Sequence, residues 1–189
     1  MMKVAGLDIS LNNLGICKVI IKDRKLTVDE LLLVKPDKSD AETKKKVRKN
    51  SDDLRRARWL REGMIEAIAD CHIVCVEMPV GSQSARAMAS YGICTGVIAG
   101  IDKPLIEVTP YDVKLAATGI KTASKEEMIE WAVAKHPEGK WKYKTVKGVK
   151  SLTNDNEHMA DALAAIYAGL KTAELKAVMQ IMFGLKASI

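Results

Sequence analysis

Three apolar runs open the chain with almost nothing between them. "KVAGLDIS", "LGICKVIIK" and "KLTVDELLLV" are joined only by "LNN" and "DR". Links this short suit hairpins and leave no room for a crossover, so the first three elements are predicted to be consecutive antiparallel strands. The pattern then changes. In "SDDLRRARWLREGMIEAIADC", Leu54, Ala57, Leu60, Met64, Ile65 and Ile68 recur at helical spacing, with Ser51 placed to cap the helix N-terminus. "HIVCVEMP" reads as a short strand stopped by Pro79, and "KPLIEVT" as another. A helix separates these two strands, which requires a crossover and hence parallel pairing. The predicted fold is α/β: a mixed five-stranded sheet, its first three strands antiparallel and two further strands parallel, flanked by helices on both faces.

The remaining segments fit one domain spanning residues 1–189, with a C-terminal helix in 171–189. A loop and a helix of small residues occupy "GSQSARAMASYGICTGVIAG", where Gly92, Gly96 and Gly100 offer a face that another element could approach closely. A short helix is expected near "YDVKLAAT", another from Ser124 to about Lys135, a basic loop over "PEGKWKYKTVKGVKS", and a helix from about Asn156 to Leu170. The longest apolar stretch, around Ile93 to Ile101, is too short to span a bilayer, so no membrane association is expected. The N-terminus runs straight into strand pattern, so a cytoplasmic location is expected. Cys17, Cys71, Cys75 and Cys94 sit in apolar surroundings and read as buried free thiols, because no second Cys/His pair joins Cys71, His72 and Cys75 to make a metal site. A net charge of +6 favours a polyanionic partner, nucleic acid or an acidic membrane surface.

Two of the predicted strands carry an acid where a hydrophobe belongs: Asp8 in the first and Glu77 in the fourth. A charge in such a position is costly unless something pairs with it or coordinates it. The late segment "NEHMADALAAIYAGL" adds His158 and Asp161, three apart and so on one helix face beside the apolar stripe of Met159, Ala162, Leu163, Ile166 and Leu170. Ala164, Ala165 and Ala168 would let that helix lie close against the sheet. Clustered carboxylates repel one another, and a divalent cation resolves the repulsion. Oxygen ligands select Mg²⁺ or Mn²⁺, and an added imidazole suits Mn²⁺ as well. Two such ions about 3.5–4 Å apart can activate water and stabilise the leaving oxygen of a phosphodiester. Taken singly, each acid also has a plain reading, as a sheet-end residue bonded to a turn or paired with a surface arginine.

At these residues the chain resembles the RuvC family of Holliday-junction resolvases, within the RNase H-like nuclease superfamily. "GLDISLNNLGICKV" is similar to the family's opening strand and hairpin, and "VCVEMPVGSQSARAMA" to its central strand, loop and helix. "TPYDVKLAATGIKTASKEEMI" resembles the stretch that carries its basic residues, and "EHMADALAAIYAG" its C-terminal helix. The resemblance implies a catalytic tetrad at Asp8, Glu77, His158 and Asp161 holding two Mg²⁺ ions, with Mn²⁺ able to substitute. Lys114 and Lys125 would lie near the scissile phosphate, and no nucleotide cofactor is implied. The long, basic segments "KSDAETKKKVRKNSDDLRRARWLR" and "GKWKYKTVKGVK", with two further departures, imply a divergent, phage- or virus-type member acting in a nucleoid or a host cytoplasm. "DISLNN" stands where cellular members usually have "DPG" and a hydroxyl residue, and no aromatic follows Glu77 closely.

Such an enzyme would hold branched DNA. Lys44, Lys45, Lys46, Arg48 and Lys49 precede a helix bearing Arg55 and Arg56, and all read as phosphate contacts or as a solvated face. Ser82, Gln83, Arg86 and Lys121 complete the expected DNA face near the site. In "GKWKYKTVKGVK", Lys140, Lys142 and Lys144 alternate with Trp141 and Tyr143, a composition that suits base stacking beside backbone contacts, or aromatics packed on the last helices. A four-way junction has two-fold symmetry, so a homodimer is expected. The competing readings are an RNase H-like nuclease for RNA–DNA hybrid or flap substrates, and a junction-binding protein without activity. An actin-like or sugar-kinase domain needs paired Gly/Thr-rich phosphate loops and a longer chain than this.

Overall fold

The computed structural model describes residues 1–23, 25–37 and 48–184. Strands β1 (Met2–Ile9), β2 (Leu14–Lys22) and β3 (Lys25–Val34) form the antiparallel meander; Ser10 and Asn13 close the first turn through paired backbone hydrogen bonds. Helix α1 (Lys49–Ile68), β4 (Ile73–Glu77), α2 (Ala85–Ile98) and β5 (Leu105–Val108) follow. Then come α3 (Pro110–Thr118), α4 (Lys125–Lys135), α5 (Asn156–Gly169) and α6 (Ala173–Phe183). The sheet order is β3-β2-β1-β4-β5, with β4 parallel to both β1 and β5. This is the mixed five-stranded sheet expected from the sequence.

Side-chain alternation along β1 and β4 divides the core in two. Ala5, Leu7, Val74 and Val76 pack under α1 and α2 with Leu60, Met64, Cys94 and Ile98. Met2, Val4, Ile73 and Cys75 face the other way, onto α5, with Met159, Leu163 and Ile166. Full burial of those last three contributes about 1.5–3 kcal/mol each. Helix α5 lies very close to the sheet because the strands beneath it present glycine. A Cβ at Gly6 would overlap the Ala162 carbonyl, and one at Gly15 would overlap the His158 backbone. All four cysteines are buried free thiols, as expected, and burial pushes the Cys75 thiol up to about 12. No helix among the described residues is long and apolar enough to cross a membrane.

Four local expectations are corrected. Helix α1 begins at Lys49, ahead of Ser51, and its N-cap Arg48 makes no side-chain cap bond. Ala164, Ala165 and Ala168 pack chiefly against Val113 and Met128 of α3 and α4, and meet the sheet only at its β5 edge, through Val108. Among the described residues, nothing beyond the helix's own neighbouring backbone would come within 4 Å of a Cβ at Gly92 or Gly96. The basic "loop" is in part a hairpin: β6 (Tyr143–Val146) pairs antiparallel with β7 (Val149–Leu152) around Lys147 and Gly148. Both turn residues have positive φ, 49° and 80°, the handedness that matches strand twist in a two-residue turn.

Candidate active site

Asp8 and Glu77 are register partners at the ends of the parallel strands β1 and β4. Asp8 falls on the same alternation as Met2, Val4 and Gly6, so its carboxyl lies under α5. The first turns of that helix bring His158 and Asp161 over the same sheet end. His158 Nδ1 sits 2.6 Å from Asp8 Oδ2. A carboxylate only accepts, so the proton of this bond belongs to Nδ1. The four residues picked from three distant segments are thus brought to one end of the sheet, with a direct contact between His158 and Asp8. Among the described residues no lysine or arginine forms an ion pair with Asp8, Glu77 or Asp161; Asp8 pairs with His158 alone.

Electrostatics follow from that crowding. Burial pushes Glu77 up to about 7, the Asp8 charge adds to the effect, and Lys114 opposes it. Asp161 is pushed up to about 8 by burial, then by Asp8, Glu77 and Glu157, again against Lys114. The hydrogen bond that His158 donates to Asp8 raises the imidazole above its ordinary range, against its own burial. Lys114 comes from α3, whose start is fixed by a Thr109–Asp112 capping box with Pro110 in the first turn. Lys125 is the first residue of α4, set by the Ser124–Glu127 capping box, and its ammonium pairs with Glu157 at 2.7 and 3.0 Å. Glu157 was not picked out from the sequence. Its position next to His158, on the turn facing α4, was the available signal.

These shifts carry a pH dependence for the metal-free protein. Glu77 and Asp161 bind protons more tightly folded than unfolded, so ionising them as pH rises from the usual carboxylate range through about 7 and about 8 costs stability. His158 acts in the same direction: the stability from its Asp8 bond is full below the ordinary imidazole range and is lost as pH rises through the raised value. In EDTA the thermal midpoint is therefore expected to fall from about pH 5 to about pH 8.5. Calorimetry across that range checks it, and a flat midpoint would show that the three groups are not coupled as drawn.

As the side chains stand, no three His, Cys, Asp or Glu among the described residues converge on a point that could hold a metal ion. His158 is turned onto Asp8 instead. The donor set still matches a hard divalent cation: three carboxyls and an imidazole lie around one sheet end, with burial and then mutual repulsion pushing Glu77 up to about 7 and Asp161 up to about 8.

The other expected contacts divide. Lys44, Lys45 and Lys46 lie outside the described residues. Arg48, Lys49, Ser82, Gln83, Lys121, Lys140 and Lys144 are exposed. Arg55 and Arg56 both bond Asp52, at 2.9 and 2.8 Å, and Arg56 also reaches the Asn12 side chain in the β1–β2 turn. Arg86 grips the buried Asp53 through both terminal nitrogens, at 2.5 and 2.7 Å, and so ties α2 to α1. These three guanidinium groups already have partners within the chain. Trp141 is a correction: its ring is buried in the core under α5 and its Nε1 donates to the His136 carbonyl at 2.8 Å, which leaves no face for a base.

The five-stranded mixed sheet of this order, with a helix laid across it, has the RNase H-like fold seen in solved RuvC structures. The chain is similar to Thermus thermophilus RuvC solved with a Holliday-junction substrate, at TM-score 0.60 and 21% identity over 89% of this chain and 92% of that one. A second Thermus thermophilus RuvC structure gives TM-score 0.59 and 20% identity, over 96% of both chains. A weaker likeness, TM-score 0.45 and 13% identity over 96% of this chain and 99% of the other, is to the fowlpox virus resolvase with substrate Holliday-junction DNA. No protein-family model matches, and no curated sequence does.

Proposed function

We propose that this protein is a metal-dependent, structure-selective endodeoxyribonuclease that resolves Holliday junctions and other branched DNA by paired phosphodiester hydrolysis. The observation that carries the reading is the meeting of Asp8, Glu77, His158 and Asp161 at one sheet end of a RuvC-type fold. On this reading those four residues hold two Mg²⁺ ions, with Mn²⁺ as a substitute. Bound there, the ions supply Lewis acidity to the phosphate and an acidified water.

The chain's own residues do the rest. Asp8 orients His158 through the Nδ1 bond and keeps that nitrogen protonated. Lys114, close enough to both buried acids to draw their pKa values down, offers its charge to the phosphate. Lys125, held beside His158 by its pair with Glu157, offers a second positive charge once that pair opens. Hydrolysis leaves a 5′-phosphate and a 3′-hydroxyl. Two copies related by a dyad would nick opposing strands of one junction, the simplest way to meet its symmetry.

The test is cleavage of a synthetic four-way junction, a linear duplex, a flap and an RNA–DNA hybrid in Mg²⁺. Symmetric nicking of the junction, with the others cut slowly or not at all, is the expected result. Preferential hybrid or flap cleavage would move the substrate elsewhere in the superfamily. Tight junction binding without cleavage in Mg²⁺ or Mn²⁺ would make the protein a binder only.

A further inference from the structure

The stretch from Lys140 to Thr153 contains five lysines and no acidic residue. It folds back on itself as the β6–β7 hairpin, with a register that sets Tyr143 opposite Leu152 and Thr145 opposite Lys150. Lys150 is thus the diagonal neighbour of Tyr143 on one face of the ribbon, and its ammonium sits 4.2 Å from the ring centroid. Tyr143 as a whole nevertheless remains 46% exposed. Val149, beside the turn, is 68% exposed. A ribbon with a uniform positive charge and a half-exposed aromatic has the chemistry of a nucleic-acid contact that also meets an unpaired base.

The base of the hairpin is built for rigidity, and it is joined to the candidate site. Asn156, fully buried, accepts from the Lys142 amide at 2.8 Å and donates to the Lys142 and Thr153 carbonyls at 2.7 and 3.0 Å. The Thr153 amide closes the ladder onto the Lys142 carbonyl at 3.0 Å. The buried Trp141 pins the entering strand. Asn156 is the first residue of α5, the helix that carries His158 and Asp161. The ribbon is therefore held in fixed relation to the sheet end where those two residues meet Asp8.

We propose that the β6–β7 hairpin is the branch-point reader of this protein: Tyr143 stacks on a base unpaired at the crossover while Lys144 and Lys150 hold the flanking phosphates. The proposal rests on the junction-nuclease reading above and adds the element that would distinguish branched from linear DNA. Stacking needs an unpaired base, so the contact is available on a junction and not on a fully paired duplex. The lysines serve both equally.

Binding measured in EDTA separates the parts. The probes are a four-way DNA junction with 2-aminopurine at the crossover and a linear duplex of the same arm sequence. Tyr143→Ala is expected to weaken junction binding about tenfold and to abolish the fluorescence change at the crossover, with duplex binding unaltered. Tyr143→Phe restores both. Lys144→Gln weakens both probes alike and lowers the salt slope by about one. A wild-type protein that prefers the junction while Tyr143→Ala keeps the same preference overturns this inference alone. Loss of both probes to the same degree on Tyr143→Ala overturns it too, since the ring would then be a general contact. A wild-type protein that neither prefers nor cuts the junction overturns the functional reading and the inference with it.

Discussion

Asp8→Asn is expected to lower Mg²⁺-dependent junction cleavage by on the order of 10³-fold or more, with the fold and metal-free junction binding retained. Asparagine keeps the shape of aspartate, and its Oδ1 can still accept from His158 Nδ1, so the packing under α5 need not change. What disappears is the charge. A ligand lost from a Lewis-acid centre forfeits several kcal/mol of transition-state stabilisation, and each 1.36 kcal/mol is about tenfold in rate. The same substitution has a signature independent of turnover. Asp8 raises Glu77, Asp161 and His158 together, so all three should titrate lower in the variant. A downward shift of the His158 ring resonances in an NMR titration would report it. Cleavage that survives, or a His158 titration that does not move, would remove Asp8 from the centre of the site.

The residues of this site could be read from the sequence because each breaks a rule its own segment obeys. Asp8 and Glu77 interrupt apolar strands, and His158 and Asp161 interrupt an otherwise apolar-and-alanine helix. The register that pairs Asp8 with Glu77 came only from the fold: α1 carries the chain from β3 past β2, and β4 enters the sheet beside β1. The hairpin was hidden for a different reason. Its strands are four residues each and their alternation is filled with lysines, so no apolar periodicity marks them. The turn at Lys147 and Gly148, flanked by β-branched Thr145, Val146 and Val149, was the trace it left. Trp141 misled by company: set among lysines it looks exposed, yet the chain dips there to bury it. Arg86 misled in the opposite way, because only the folded structure places it against Asp53.

The glycines give the second large effect. Gly6→Ala is expected to destabilise the protein by about 3 kcal/mol, the upper end of what overpacking costs, whereas Gly92→Ala should be neutral or stabilising by about 0.5–1 kcal/mol. Spacing in the sequence pointed to Gly92 and its neighbours on α2, but spacing says only that residues share a helix face, not that anything covers it. The close approach occurs within the strands. A methyl at Gly6 would run into the Ala162 carbonyl, a backbone atom at the centre of the most buried helix, which cannot turn aside as a side chain would. Gly15 makes the same contact one strand over, against the His158 backbone, and it is the register partner of Asp8. Gly15→Ala should therefore lift the N-terminal turn of α5 and lengthen the bond between His158 and Asp8, lowering activity beyond its cost in stability. Urea unfolding of the three variants, with cleavage assayed well below each midpoint, separates the two effects. Equal stability of Gly6→Ala and Gly92→Ala would mean that α5 does not rest on the sheet through Gly6, and the placement of His158 and Asp161 over the strand acids would lose its physical basis.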